Sequence, residues 1–153
     1  MVESRRNGSS LDERDKRLVA LLEANPRASL AELARALSLS PQSVSERLKR
    51  LEDVGVLGFS VALDPEKLGL SIGAYIRIQP AMGELTRVAE IVKTIPEIVE
   101  CHRITGEDCF IAKVFVEEVK ELERVIDRLL PHARTNTSII QSSPVPVRLP
   151  KYS

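Results

Sequence analysis

The sequence predicts an α+β protein in which three short helices precede a sheet unit with the element order β-α-β-β-α-β. Residues 11–58 carry apolar side chains at helical spacing, with a capping residue before each such stretch. From residue 70 onwards, alternating strand patterns are interleaved with two amphipathic helices. Asp64-Pro65 and Gly69 form a turn-rich joint between the two patterns, where we place a domain boundary.

The first predicted helix begins after Leu11, with Asp12 as its N-cap. Glu13 and Asp15 place negative charge at its positive end, and Asn25-Pro26 stops it. Three leucines form its apolar stripe: Leu18, Leu21 and Leu22.

Residues 29–52 predict a helix, a tight turn and a second helix. Ser29 caps the first of these helices, and Glu32 three residues later completes a capping box. Ser38-Leu39-Ser40 breaks the helical spacing, which predicts the turn. The apolar positions before the turn are Leu30, Leu33, Ala34 and Leu37.

The helix after the turn has two different faces. Ser40 caps it, Pro41 takes its first position, and Gly55 is the expected left-handed cap beyond its end. The apolar face carries Val44, Leu48 and Leu51. The opposite face carries Gln42, Ser45, Glu46, Lys49 and Arg50, with Ser43 and Arg47 at the margins. A helix-turn-helix with this second helix is suited to the DNA major groove.

The candidate DNA contacts all lie on this helix: Ser40, Gln42, Ser43, Ser45, Arg47, Lys49 and Arg50. Ser40 and the first backbone amides can donate to a phosphate, because a helix N-terminus favours anions. The short neutral side chains suit base edges or nearby phosphates, and the cations supply charge. Arginine binds both guanine and phosphate, so both contacts stay open. A helical hairpin with a solvated charged face is the alternative interpretation.

Composition argues against a protein that holds nucleic acid by bulk charge alone. The 153 residues include 22 basic and 22 acidic side chains, and residues 1–58 hold 10 Lys or Arg against 9 Asp or Glu. Affinity for DNA must therefore come from a local patch, multiplied by oligomerisation.

No apolar run approaches the ~18 residues of a membrane span. Residues 1–10 lack the apolar stretch of a signal peptide and are expected to form a flexible tail. We therefore expect a cytoplasmic, nucleoid-associated protein with no membrane partner.

The second half of the sequence predicts a ferredoxin-like sandwich. Strands are expected at 71–79, 98–104, 109–116 and 135–141, and helices at 84–94 and 119–129. A hairpin at 105–108 joins the middle strands, with Gly106 supplying a positive φ. Residues 56–63 predict a small wing and then a connecting strand. Both helices should cover one sheet face, and a second copy of the chain is expected to cover the other.

Cys101 and Cys109 are expected to be free, partly buried thiols. The chain has no CxxC motif and only two histidines, which argues against a zinc site, and we expect no metal and no cofactor. His102 is expected to be an ordinary strand residue, and Tyr75 and Phe110 to pack in the sheet or an interface.

Four stretches in this order resemble the leucine-responsive and asparagine-responsive (Lrp/AsnC, feast/famine) transcriptional regulators. They are LDERDKRLVALL at 11–22, LSPQSVSERLKRLEDVGVL at 39–57, LDPEKLGL at 63–70 and ECHRITGEDCF at 100–110. The resemblance implies a (winged) helix-turn-helix at 11–58, a connecting strand or linker at 59–69, an effector-binding (RAM) domain at 70–148 and a tail at 149–153. It also implies double-stranded DNA as a partner, with a near-palindromic site, and dimers that assemble into tetramers or octamers.

The resemblance further implies a small effector, commonly an amino acid, bound between sheet domains near the glycine hairpin. Backbone amides near Gly106 can receive its carboxylate, and Glu107 or Asp108 can pair with its ammonium. Thr135, Thr137 and Ser138 offer hydroxyl groups. Cys109 departs from the family pattern Thr-Gly-x-x-Asp, because it stands where the aspartate is common. An ordinary hairpin turn with a solvated acidic tip is the alternative.

Two other functions compete with transcription regulation. One is a ligand-binding or assembly module without DNA binding. The other is an enzyme, because some haem-biosynthesis decarboxylases are similar to this architecture and act on tetrapyrroles. Such an enzyme needs a cationic cleft and a histidine near the substrate, and this chain has only His102 and His132. No nucleophile–base pair or carboxylate dyad stands out, so we expect no enzymatic activity.

Overall fold

The computed structural model describes residues 11–151, in two compact units that divide between Ala62 and Leu63. The flexible tail expected at residues 1–10 lies outside the described residues, as do residues 152–153 of the expected C-terminal tail. No helix in the described part of the chain is both long enough and apolar enough to cross a membrane.

The N-terminal unit consists of three helices. They are α1 (Glu13–Ala24), α2 (Leu30–Leu37) and α3 (Pro41–Asp53). Capping boxes close the starts of α1 and α2, as the sequence predicts, and Ser40 accepts a hydrogen bond from the Ser43 backbone N–H at the start of α3. Seven buried side chains form the core: Leu18, Leu22, Leu33, Ala34, Leu37, Val44 and Leu51. Burial of each large one contributes roughly 1.5–3 kcal/mol.

Two residues, one before α3 and one after it, have a left-handed backbone conformation. Ser38 has φ 53° in the turn between α2 and α3. Gly55 has φ 73°, and its N–H donates to Glu52 O while the Val56 N–H donates to Leu51 O. This pair of hydrogen bonds is a Schellman motif, so the expected glycine cap is confirmed.

The expected wing and connecting strand do not form. Residues 57–64 are all described, and none of them belongs to a strand. A single 3₁₀ turn follows, at Glu66–Leu68. The prediction was wrong for this single chain because extended residues become a strand only when a neighbouring strand pairs with their N–H and C=O groups.

The C-terminal unit is a four-stranded antiparallel sheet with two helices, which confirms the predicted α+β fold class. Its elements are β1 (Ile72–Pro80), α4 (Leu85–Lys93), β2 (Ile98–Arg103), β3 (Phe110–Val116), α5 (Val119–Leu129) and β4 (Ala133–Ile139). The strand order is β2-β3-β1-β4. β4 begins two residues before the expected position, at Ala133 instead of residue 135.

The two faces of this sheet differ in burial. On one face Ala74, Ile76 and Ile78 of β1 are fully buried in a core shared with α4 and α5. The opposite face carries Tyr75 and Arg77, which are both exposed. One sheet face is therefore filled by the chain itself, and the other is open.

Candidate nucleic-acid interface and effector hairpin

The outward face of α3 carries polar side chains at helical spacing. Gln42, Ser45, Glu46 and Lys49 are exposed, while Val44 and Leu51 are fully buried against the other two helices. The burial of Val44 and Leu51 determines which side of α3 faces outward. This side carries three of the seven residues expected to contact DNA: Gln42, Ser45 and Lys49.

The N-terminus of α3 is arranged to receive an anion. Its first turn holds no acidic residue, so the positive end of the helix is uncompensated. The Ser40 hydroxyl donates to Ser43 Oγ at 3.0 Å, and the Ser43 N–H donates to Ser40 Oγ at 3.2 Å. Gln42 donates to Glu46 Oε1 at 3.2 Å. Both serines are thus held at the end of the helix where a phosphate is favoured.

Arg47 and Arg50 are not free cations, in contrast to what the sequence led us to expect. Arg47 Nη1 donates to Asp12 Oδ2 and to Asp15 Oδ1, each at 2.7 Å. Arg50 Nη2 donates to both carboxylate oxygens of Asp15, also at 2.7 Å. We call these four residues the acid–arginine cluster. It joins the start of α1 to the second half of α3.

The cluster keeps its acids ionised. Hydrogen bonding from Arg47 lowers the pKa of Asp12 from 3.8 to about 2. Burial acts to raise the pKa of Asp15, but the hydrogen bonds from Arg50 and Arg47 outweigh it and hold that pKa below its usual range. The carboxylates of Asp12 and Asp15 raise the pKa of Arg47 in turn. Asp12, Asp15 and Arg47 are therefore charged at neutral pH.

The pairing has a sequence signal that the interpretation above missed. Asp12 and Asp15 are three residues apart, as are Arg47 and Arg50, so each pair lies on one side of its helix. From the sequence, we assigned Asp12 and Asp15 only to the start of α1 and the two arginines only to DNA. A cleft of ~520 Å³ lies in front of the cluster, and Arg14, Ser43 and Glu46 also line it.

The hairpin after β2 has the predicted glycine geometry. Gly106 has φ 110°, and a Cβ added to it would meet nothing within 4 Å. The Cys109 N–H donates to Ile78 O at 3.0 Å, which fixes the end of the hairpin to β1. Asp108 Oδ2 lies 3.8 Å from Nε of Arg77, whereas Glu107 is exposed at the tip. Asp108 is therefore already near a cation within the chain.

The three β4 residues proposed to offer hydroxyl groups to an effector lie on different faces of the sheet. Thr135 and Thr137 pair with Ile78 and Ile76 and so lie on the face that the helices cover. Ser138 pairs with Tyr75 on the open face. Thr135 and Thr137 are therefore separated from Ser138 by the sheet, because neighbouring side chains of a strand point to opposite sides.

The remaining polar candidates have local partners. His102 is exposed on β2 and lies 2.7 Å from Glu100, and His132 lies 2.8 Å from Glu84. Burial raises the pKa of the Cys101 thiol, and both cysteines are free. Among residues 11–151, no three His, Cys, Asp or Glu side chains converge to hold a metal ion.

Both units match sequence profiles of known domains. Residues 11–52 match the AsnC-type helix-turn-helix domain, and residues 73–149 match the Lrp/AsnC ligand binding domain. The boundaries of the two matches fall within the N-terminal and C-terminal units respectively.

Whole-chain comparisons point the same way. The chain is 32% identical over 133 residues to the HTH-type transcriptional regulator LrpC of Bacillus subtilis, covering 86% of this chain and 92% of LrpC. The structure of LrpC superposes with a TM-score of 0.81 over 87% of this chain and 96% of that one. The transcriptional regulator LrpA of Mycobacterium tuberculosis is 34% identical over 86% of this chain and 90% of LrpA. The feast or famine regulatory protein of M. tuberculosis complexed with L-methionine is 31% identical, with a TM-score of 0.84, over 92% of this chain and 98% of that one.

Proposed function

Because this chain belongs to the Lrp/AsnC family of transcriptional regulators, we propose that it regulates transcription by placing α3 in the major groove of a specific DNA site. The observation that carries the proposal is the outward face of α3, where Gln42, Ser45 and Lys49 are exposed beside a helix N-terminus with no acidic residue in its first turn. Ser40 and Ser43 are assigned to a phosphate, and Gln42 and Ser45 to base edges.

The open face of the sheet is proposed as the dimer interface. Gly73 has no side chain, and a Cβ there would lie 3.0 Å from Phe115 and 3.3 Å from Ile140, so both apolar side chains pack over it. Lys113 Nζ lies 5.3 Å and 5.9 Å from the ring centroids of Phe115 and Tyr75. An apolar centre with a polar rim is typical of protein interfaces. A two-fold dimer presents two α3 helices and therefore needs a near-palindromic site, with half-sites ~34 Å apart or a multiple of that.

An amino acid is proposed as the effector, bound at the Gly106 hairpin of paired sheet domains. Support comes from the ligand-binding-domain match and from the similar protein complexed with L-methionine. Gly106 leaves space for a carboxylate to approach the backbone, and Glu107 is free to pair with an ammonium. Higher assembly to tetramers or octamers would bring such hairpins together. The effector then shifts DNA affinity by a coupling free energy of about 1–3 kcal/mol.

The relatives are named as transcriptional regulators, which points away from an enzyme. We propose that the protein works without a metal or organic cofactor. Its place of action is the cytoplasmic nucleoid, where its DNA site is accessible.

The test is footprinting of the full chain on the DNA upstream of its own gene. We expect a discrete protected site, whose affinity falls steeply with salt because bound phosphates release counterions. Smeared, sequence-independent protection at every salt concentration contradicts the proposal. Thermal shift with L-methionine and the other amino acids tests the effector, since a ligand at about 100 times its Kd adds ~2.7 kcal/mol of stability.

A further inference from the structure

Two neighbouring cations of α3 have opposite surroundings. Lys49 is exposed and forms no ion pair with any residue in 11–151. Arg50, the next residue, donates to both oxygens of the Asp15 carboxylate at 2.7 Å. Arg47 donates to Asp15 and Asp12 at the same distance. The acid–arginine cluster is thus neutral in itself, and Lys49 is the α3 cation outside it.

We propose that Asp15 is a positioning residue that withholds Arg47 and Arg50 from DNA phosphates and so limits the binding of α3 to unrelated sequences. The proposal rests on the proposed function, DNA binding through α3. Asp15 accepts three hydrogen bonds from guanidinium groups, and these are the donors that a phosphate would otherwise recruit. Asp15 is only 1% exposed, so its carboxylate depends on these guanidinium groups and on the Asp12 N–H for its hydrogen bonds.

The cluster also restrains α3. Its hydrogen bonds link α3 to residues 32 and 35 positions earlier in the chain, at the N-terminal end of α1. Because two guanidinium groups converge on one buried carboxylate, they fix the rotation of α3 about its own axis as well as its position. The outward direction of Gln42, Ser45 and Lys49 is therefore set partly by charges on the side of the helix that faces α1.

Withholding two arginines changes the balance between specific and non-specific binding. Each phosphate that a cation neutralises steepens the dependence of log K on log salt by about 0.9. An arginine that is already neutralised by Asp15 adds nothing to this sequence-independent term. What remains is one free lysine and short side chains that need a matching base edge, so specificity is gained and bulk affinity is lost.

The first experiment compares the two adjacent cations in the full chain. Fluorescence anisotropy is measured over a potassium chloride series with two duplexes of equal length, one from upstream of its own gene and one with that sequence shuffled. We expect Lys49→Gln to reduce the slope by about 0.9 per bound subunit and Arg50→Gln to leave it unchanged. Asp15 keeps Arg47 and the Asp12 backbone N–H as partners in Arg50→Gln. A reduction of about 0.9 per bound subunit for Arg50→Gln overturns the proposal.

The second experiment releases the arginines. Asp15→Asn keeps the shape of the side chain and removes its charge. We expect the slope on the shuffled duplex to steepen by about 0.9–1.8 per bound subunit, with affinity rising on the order of tenfold at low salt. Adding Arg50→Gln to this variant should remove the part of the gain that Arg50 contributes, about 0.9 per bound subunit. An unchanged slope in a folded Asp15→Asn protein overturns the proposal. If circular dichroism shows that this variant is unfolded, the comparison of Lys49 with Arg50 decides.

The two proposals fail in different ways. If the wild-type protein binds both duplexes equally, the proposed function is wrong, while the slopes on the shuffled duplex still decide the role of Asp15. If the site is recognised but Arg50→Gln behaves like Lys49→Gln, only the role of Asp15 is wrong. If neither the wild type nor Asp15→Asn binds either duplex, both are overturned.

Discussion

The two units of this chain use their side chains in opposite ways. The N-terminal unit buries its apolar residues among three helices and engages two of its arginines in internal ion pairs. The C-terminal unit covers one sheet face with α4 and α5 but leaves Tyr75 39% exposed on the other. The comparison shows that the N-terminal unit pairs two of its cations internally, whereas the C-terminal unit leaves one sheet face open, which is the face proposed above as the dimer interface.

The largest expected effect is the loss of stability when a core side chain of the N-terminal unit is removed. Leu18→Ala removes a fully buried side chain of α1 and should lower the free energy of unfolding of this unit by about 2–5 kcal/mol. Leu30→Ala, at a position that is 42% exposed, is the matched control and should cost under about 1 kcal/mol. The free energy is measured by urea unfolding that is monitored by hydrogen exchange in each unit. Equal losses for the two variants would show that α1 is not part of a packed core.

The next effect tests the open sheet face. Tyr75→Glu places a negative charge on the open sheet face, where Phe115 and Ile140 pack over Gly73, and we expect the dimer Kd to rise at least tenfold, or about 1.4 kcal/mol. Val119→Glu, which alters an exposed residue at the start of α5, is the control and should leave the dimer intact. Sedimentation velocity measures both. A Tyr75→Glu protein that sediments like the wild type would place the interface elsewhere.

A smaller effect is the loss of stability of the N-terminal unit in acid. The pKa of Asp12 is about 2 in the folded protein and 3.8 ordinarily, so its contribution to stability is complete above pH ~4 and is lost as pH falls towards 2. We expect the free energy of unfolding of the N-terminal unit to be nearly constant from pH 5 to 8 with respect to this group and to fall below pH ~4.

Asp12→Asn provides the control for the acid effect, because asparagine is also a good N-cap but carries no charge. Its unfolding free energy should fall less steeply between pH ~4 and 2 than that of the wild type. Superimposable pH curves for the two proteins would mean that the Asp12–Arg47 pair contributes nothing to folding.

The smallest effect lies in the turn of the helix-turn-helix. Ser38 has φ 53°, a conformation that glycine adopts without strain from a Cβ. Ser38→Gly should therefore raise the free energy of unfolding by about 0.5 kcal/mol, with the relief of strain partly offset by the greater freedom of the unfolded chain. Ser40→Gly is not an equivalent change, because it removes the cap of α3. A destabilised Ser38→Gly protein would show that the Ser38 side chain makes a favourable contact.

Much of the fold is predictable because its signals act over three or four residues. Asp12, Ser29 and Ser40 cap the three helices in the structure as they do in the sequence analysis. The alternation in β1 likewise predicts which of its side chains are buried. The connecting strand expected within residues 56–63 is not predictable in the same way, since its formation depends on a partner strand that local residue types do not specify.

For the candidate sites, the sequence predicts which residues take part but not how they are arranged in space. The contacts of the seven residues expected at DNA and of the six expected at the effector stay predictions. The structure nevertheless changes how they group, since Arg47 and Arg50 bind Asp15 and Ser138 lies across the sheet from Thr135 and Thr137.

The sequence by itself determined the helix limits, the turn, the glycine caps and the order β-α-β-β-α-β, because each follows from contacts between near neighbours in the chain. Only the tertiary structure decided that two arginines of α3 meet a buried carboxylate of α1, and which face of the sheet each hydroxyl of β4 occupies. Charges 32 to 35 residues apart find each other through the packing of two helices, and the face of a strand residue follows from the register of its pairing. Both depend on where whole elements lie, which no local pattern specifies.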